Sequence, residues 1–320
     1  MTGTPLERNV VAFGGGHGLA ASLAALRHVV TDLTAVVTVA DNGGSSGRLR
    51  REFGALPPGD LRQALAALCG DDEWGSTWAR VLQHRFVSPG AMNEHAVGNL
   101  LIVALWELLG DHVDGLDWVG RLLGAHGRVL PMSVTPIDIA AEVSGLVPGD
   151  PGLLTTVRGQ VQVASTHGRV VSVHLEPADP PACPQALAAV KQADWLVLGP
   201  GSWFTSVIPH LLVPALREAL VESPARKVVT LNLQPQVGET TGFTPETYLE
   251  VLAAHAPELS VDAVLADCRS VGDAERLRDV AAGLGARLVI ADLAVPDGSP
   301  RHDPAKLADA YADLLRCDIG

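Results

Sequence analysis

The residues best equipped for chemistry sit in short polar loops that interrupt apolar runs. The first loop is Gly14-Gly15-Gly16-His17-Gly18, which follows the apolar residues 10–13 and opens an Ala/Leu-rich helical pattern reaching about residue 27. Glycines in such a turn permit positive φ and close approach of a ligand, while the helix behind them offers unpaired N–H groups and the positive end of its dipole. These are the properties that hold a phosphate. The second loop is Asp41-Asn42-Gly43-Gly44-Ser45-Ser46-Gly47-Arg48, and the third is Gly199-Pro200-Gly201-Ser202 with Thr205-Ser206 behind it. A fourth runs from Asn232 through Gly238-Glu239-Thr240. Asp60, after Pro57-Pro58-Gly59, stands at or near a helix N-cap, and Arg62 follows on that helix. His95 and Asn99 are four residues apart and share a face if the helix has begun there.

Two sharper motifs are tested by counting. A P-loop needs a lysine directly after its glycines, but lysines occur only at 191, 227 and 306. The dinucleotide fingerprint needs a third glycine where Leu19 stands, which weighs against a nicotinamide enzyme even though Asp41 ends a strand where a ribose hydroxyl would be held.

The elements that must position these loops follow from hydrophobic periodicity. Residues 10–13, 33–40, 195–198, 228–232, 261–266 and 288–290 are nearly continuous apolar runs, several of them β-branched, as expected of strands buried on both faces of a parallel sheet. Each precedes a helical stretch. The expected fold is α/β, a Rossmann-like, doubly wound, mostly parallel sheet, with residues 1–320 forming one domain. A helical insertion is expected at about 60–126, with helices over 78–84, 95–109 and 116–123 packed over the carboxyl edge of the sheet. A small antiparallel extension is expected at about 128–175, with strands at 129–132, 157–163 and 170–175, the last two joined by a turn at His167-Gly168. In an open α/β sheet, loops at strand carboxyl ends line the ligand crevice, so the four polar loops should converge.

Composition narrows the function. The chain has 320 residues, 47% of them hydrophobic, and a formal net charge of −13, which repels nucleic acid and anionic membrane surfaces and leaves small anions to be held by local features. Cys69, Cys183, Cys268 and Cys317 are scattered without zinc spacing and read as reduced thiols. No signal peptide is evident, and the most apolar run, residues 100–106, is far short of a membrane span of roughly 20 residues. The expectation is a cytoplasmic protein with no nucleic-acid partner and no membrane insertion.

The ordered set Gly14-Gly15-Gly16-x-Gly18-Leu19, residues 37–50, Pro57-Pro58-Gly59-Asp60-Leu61-Arg62, Gly98-Asn99-Leu100, Gly199-Pro200-Gly201-Ser202, Thr205-Ser206 and Gly238-Glu239-Thr240 resembles the YvcK family. This bacterial family, also called gluconeogenesis factor or UPF0052, is related to the CofD-type 2-phospholactate transferases. The resemblance covers about residues 9–270. It implies a protein that binds UDP-sugars, notably UDP-N-acetylglucosamine, and links carbon metabolism to cell-wall synthesis and cell shape, with no assigned turnover. On that reading the loops at 14–18 and 199–202 hold the diphosphate, with Arg48 or Arg62 as its bidentate partners. Ser45, Ser46, Asn99 and Thr205 bond ribose or sugar hydroxyls, and Asp41, Asn42, Gly44, Asp60, His95, Ser206, Asn232, Glu239 and Thr240 complete the site. No cofactor is required; Mg²⁺ enters only with the ligand, on Asp41 and Asp60. Under the alternative, a CofD-like transferase, that cation orients the pyrophosphate and His17 or His95 is the base. A homodimer with regulatory protein partners is expected. Five departures from the family pattern stand out: His17 replaces a threonine, Asn42 an aspartate, Pro235 a threonine, Val237 a proline and His210 an asparagine.

Overall fold

The computed structural model describes residues 4–316, so Cys317 lies outside the described residues. The first elements are β1 (Leu6–Gly14), α1 (Gly16–Leu26) and β2 (Val30–Val37); the two strands pair in parallel with Phe13 opposite Val36 and a register shift between Leu6 and Asn9. Five helices follow without a named strand among them: α2 (Gly44–Phe53), α3 (Gly59–Ala67), α4 (Glu73–Gln83), α5 (Val97–Leu109) and α6 (His112–Leu123). The chain then returns to the sheet as β3 (Arg128–Pro131), parallel to β2. This corrects the expected placement of residues 129–132 in the antiparallel extension. Val129 and Leu130 are fully apolar and buried, which suits a strand covered on both faces and not one with a wet face.

The antiparallel extension is built instead from β4 (Asp138–Ser144), β5 (Thr155–Arg158) and β6 (Arg169–Glu176), in the order β5-β4-β6. The expected strand at 157–163 stops at Arg158. Gly159, at φ +97, turns the chain in a conformation that side-chain-bearing residues avoid, and α7 (Gln160–Ala164) follows. The strands at 155–158 and 169–176 therefore do not form a hairpin with each other; β4 lies between them.

After α8 (Pro184–Gln192) the parallel sheet resumes with β7 (Trp195–Leu198), a π-helical turn over Trp203–Val207, α9 (Pro209–Leu212), α10 (Pro214–Glu222) and β8 (Arg226–Thr230). It ends with α11 (Pro245–His255), β9 (Ala263–Asp267), α12 (Ala274–Gly283), β10 (Arg287–Ala291) and α13 (Pro304–Arg316). The seven-stranded order is β10-β9-β8-β7-β1-β2-β3, every pair parallel. This is the α/β, doubly wound class expected. Residues 10–13 and 195–198 pair at the centre and are almost entirely buried, as the twin apolar runs require. From this central pair, chain order proceeds outward in both directions, so the topology reverses between β1 and β7. That is where an open α/β sheet places its ligand crevice. No helix among the described residues is long and apolar enough to cross a membrane.

Candidate functional site

The loops after β1 and β7 meet at the reversal point. A Cβ on Gly18 would overlap the Pro200 carbonyl and Gly201 Cα, so only glycine lets these two loops pack. Asn232, at the end of β8, fixes the second loop by a reciprocal pair: Gly201 N–H donates to Asn232 Oδ1 and Asn232 Nδ2 donates to the Gly201 carbonyl, both at 2.8 Å. Thr38, after β2, donates through Oγ1 to the Ser206 carbonyl at 2.8 Å and ties the third wall on. Ser206 itself lies against Gly15.

Four helices begin along this edge, and none carries a side-chain cap at its first residue. Their N-caps are Gly15 for α1, Gly43 for α2, Pro58 for α3 and Ala96 for α5. Elsewhere, α4, α6, α11 and α12 are capped by Asp72, Asp111, Thr244 and Asp273, while α8, α9 and α10 have no side-chain cap and begin with proline, which has no N–H to satisfy. The four open starts adjoin one another. A Cβ on Gly15 would stand 2.6 Å from Asp60 Oδ2, and one on Gly59 would overlap Ser46 Oγ and stand 3.0 Å from Asp41 Oδ2. Ala96 N–H reaches Ser45 Oγ at 3.4 Å. The result is a cluster of inward N–H groups and dipole ends that favours negative charge.

Asp60 sits in the first turn of α3, two residues past the cap position. Burial pushes its carboxyl up to about 7, the charge of Asp41 adds to this, and the Gly16 N–H and Arg62 pull the other way. Asp41 Oδ1 accepts from Gly43 N–H at 2.8 Å, which leaves Oδ2 facing Gly59 and Ser46. Both carboxylates thus border the glycine loops, as a site for a cation beside a phosphate would need.

The structure joins Arg62, Asn99, Ser45 and His95 to one another. Arg62 Nε donates to Asn99 Oδ1 at 2.8 Å, Asn99 Nδ2 donates to Ser45 Oγ at 3.0 Å, and Ser45 Oγ lies 3.0 Å from His95 Nδ1. All four are buried, Arg62 to 3% exposure. Its Nη1 has no partner, and burial followed by the charge of Arg85 lowers the guanidinium to about 10. Burial and Arg48 likewise lower His95. His95 precedes α5, so it and Asn99 meet through Ser45 and not along one helix face.

Other expected site residues are engaged elsewhere. Arg48 donates to the carbonyls of Ala91 (3.0 Å) and Asn93 (2.6 Å), bracing the loop before His95. Asn42 turns toward α7, where its Oδ1 accepts from Val161 N–H at 3.1 Å and its Nδ2 donates to Gln162 Oε1 at 3.0 Å. It caps that helix and joins the β2 loop to the small sheet. Gly44 opens α2, with space around it. Across the crevice, Glu239 Oε1 accepts from Thr205 N–H at 2.8 Å, and burial pushes its carboxyl up to about 7. Glu239 Oε2 and Thr205 Oγ1 are buried without a hydrogen-bond partner. Thr240 is fully buried and bonds Tyr248 Oη at 3.1 Å. His17 is exposed and lines an open cavity of about 680 Å³ with Gly18, Gly201, Asn232 and Arg301. Gly14 and Gly199 carry the chain out of β1 and β7 at positive φ, and Ser202 precedes the π-helical turn.

Sequence reading missed several supports. Tyr311 on α13 bonds both Ser22 Oγ and Thr230 Oγ1 at 2.9 Å, linking α1 to β8 below the loops. His210, noted as a departure, lies in the core: Nε2 is 3.0 Å from the Val36 carbonyl, Nδ1 is 3.2 Å from the Val207 carbonyl, and burial lowers its pKa to about 4. It is fully buried and braces the core, and is not a wall of the crevice. A separate group, Asp267, Cys268 and Asp292, is bound up internally, since Asp267 accepts from Leu293 and Ala294 N–H and Asp292 pairs with Arg269 and Lys306.

With this geometry in hand, comparison with known proteins is decisive. The family model described as 2-phospho-L-lactate transferase CofD matches residues 10–295. A Mycobacterium tuberculosis protein bearing the gluconeogenesis factor name is 51% identical over 314 residues, covering 97% of this chain and 91% of its own length. The chain belongs to the gluconeogenesis factor family. A Bacillus subtilis gluconeogenesis factor is 34% identical over 325 residues, covering 96% of this chain and 98% of its own. A crystal structure of a UPF0052-family protein from Bacillus halodurans superposes with a TM-score of 0.83 at 33% identity, covering 95% of this chain and 98% of that one. The gluconeogenesis factor relationship thus extends over nearly the whole fold, including all four polar loops.

Proposed function

We propose that the crevice binds a UDP-sugar, UDP-N-acetylglucosamine or UDP-glucose, and that this gluconeogenesis factor is a regulatory protein linking carbon metabolism to cell-wall synthesis and cell shape. The observation that carries the ligand reading is the group of four adjoining, uncapped helix starts at the sheet's reversal point. Unpaired N–H groups and helix dipoles together make an anion site. A diphosphate on the 14–18 and 199–202 loops would use those groups, and the adjoining Ser46, Thr205 and Asn232 would reach its sugar hydroxyls. Arg62, with a buried Nη1 lacking a partner, is the better candidate of the two arginines for an anion, because Arg48 is already held by two carbonyls. Isothermal titration with UDP-N-acetylglucosamine tests the reading; no heat at about 1 mM ligand from folded protein overturns it.

A second reading, a CofD-like transferase acting on a nucleotide-linked phosphate substrate, is favoured by the family model and by the Asp41/Asp60 pair. A divalent cation is commonly held by one or two carboxylates plus substrate phosphates, and it would relieve the repulsion by which Asp41 raises Asp60. The residues therefore fit Mg²⁺, which when bound would neutralise pyrophosphate charge. Metal-dependent release of free nucleotide in the presence of acceptor alcohols would support this reading. Equal binding in chelator with no turnover would exclude it.

A further inference from the structure

We infer that Arg62, Asn99 and Ser45 hold His95 as the Nε2–H tautomer, so that its ring is a fixed hydrogen-bond donor to a phosphoryl or carbonyl oxygen of the ligand and not a base. The direction of the chain follows from what each atom can do. A guanidinium only donates, so the Asn99 atom 2.8 Å from Arg62 Nε must be the amide oxygen. That orientation turns the Asn99 NH₂ toward Ser45, where Nδ2 lies 3.0 Å from Oγ. Ser45 Oγ also receives the Ala96 N–H at 3.4 Å. Its lone pairs are therefore engaged, and its own proton points to the remaining neighbour, His95 Nδ1 at 3.0 Å. An Nδ1 that accepts leaves the ring proton of a neutral imidazole on Nε2.

Flipping Asn99 would leave Arg62 Nε–H facing an amide NH₂, and reversing the Ser45–His95 link would displace the Ala96 N–H from Ser45 Oγ. Burial and the charges of Arg48 and Arg85 disfavour a second ring proton, against the weaker opposite effect of Glu52. Nε2 has no hydrogen-bond partner among the described residues. Arg62 and Asn99 are thus positioning residues that act through Ser45. Ser45 becomes part of the scaffold and not a sugar ligand, and His95 is withdrawn from the base role that a transferase would ask of it. The tautomer stands on this chain's own hydrogen bonds, whereas the ligand contact rests on the nucleotide-sugar reading.

The test uses the full chain labelled with ¹⁵N-histidine, with His95 assigned by loss of its signals in His95→Gln. At about pH 8, where the ring is neutral, long-range proton–nitrogen correlation should show a protonated Nε2 and a bare Nδ1. Asn99→Asp should invert the pattern. Its carboxylate accepts from both Arg62 and the Ser45 hydroxyl, so Ser45 Oγ must then accept from His95 Nδ1–H. Ser45→Ala, which removes the hydroxyl between Asn99 and the ring, should give a mixture of tautomers. A wild-type Nδ1–H signature, or the Nε2–H form persisting in a folded Asn99→Asp protein, overturns the assignment. In titrations with UDP-N-acetylglucosamine, His95→Gln, which retains a donor, should stay within about threefold of wild type, and His95→Leu should lose about tenfold or more. Equal affinity of the two variants overturns the donor role. Absence of binding by wild type overturns the nucleotide-sugar reading and leaves the spectral result to decide the tautomer.

Discussion

Replacing Asp60 with asparagine should change how stability responds to pH. The carboxyl is nearly buried and rises from 3.8 to about 7, chiefly through desolvation and secondarily through the Asp41 charge. In the unfolded chain the group ionises near 3.8, whereas in the folded protein it keeps its proton to about 7. Between those values the native state binds more protons than the unfolded state, so stability is greatest at acid pH and falls as pH rises, levelling off above about 7. Each pH unit in that window is worth about 1.4 kcal/mol, so moving from about pH 5.5 to about pH 8.5 removes on the order of 2 kcal/mol through Asp60. Glu239, pushed from 4.5 to about 7 by burial, has the same sign and similar size. Buried His210 and His302, lowered to about 4, act in the opposite sense between about pH 5.5 and 6.5 and do so equally in both proteins, so the quantity to read is the difference: wild type should lose on the order of 2 kcal/mol more than Asp60→Asn across this range. Urea unfolding followed by tryptophan fluorescence at both pH values measures the difference, with the urea dependence checked for constancy. Parallel losses in the two proteins would refute the argument that Asp60 is desolvated in the native crevice. An anionic ligand adds a further charge beside Asp60, so ligand affinity should also weaken as pH rises through 7 in wild type and change less in the variant.

Gly18→Ala should press a methyl group into the Pro200–Gly201 backbone, destabilise the protein by about 1–3 kcal/mol and remove nucleotide-sugar binding; a thermal melt and a titration on one sample read both. Asn42→Ala gives up the bonds to Val161 and Gln162 and should cost about 1–2 kcal/mol, with faster proteolysis confined to residues 159–166. If that segment is cleaved no faster than in wild type, Asn42 does not anchor α7.

The sequence displayed the parallel sheet clearly because its central strands are short apolar runs that end in polar loops, a pattern with few other solutions. It concealed two kinds of feature. Gln160-Val161-Gln162-Val163 alternates like a strand, but left-handed Gly159 and the Asn42 side chain, 119 residues away, start a helix there. Such a capping partner leaves no local trace. Similarly, Arg62, Ser45, His95 and Asn99 each carry groups suited to a ligand, and reading them singly assigns each one to it. Only their juxtaposition shows that most of their hydrogen-bonding capacity is used within the chain. The β4 strand leaves little trace in the sequence for a related reason, since Ala140 and Ala141 are both buried and blur its alternation.

The uncapped helix starts have a consequence for how the empty protein breathes. A polar N-cap is worth about 1 kcal/mol over alanine and a few tenths over glycine, so the starts at Gly15, Gly43, Pro58 and Ala96 together forgo roughly 2–3 kcal/mol of local stabilisation at a single edge. Their first turns are where amide hydrogens should exchange soonest, ahead of the capped starts of α4, α6, α11 and α12. An anion held on the first-turn N–H groups that Asp60, Asp41 and Ser45 leave open would add to the capping of several of these helices at once. Its arrival would then be felt as a stiffening along α1, α2, α3 and α5 together, which gives a small bound anion a way to alter surfaces well beyond its own contacts.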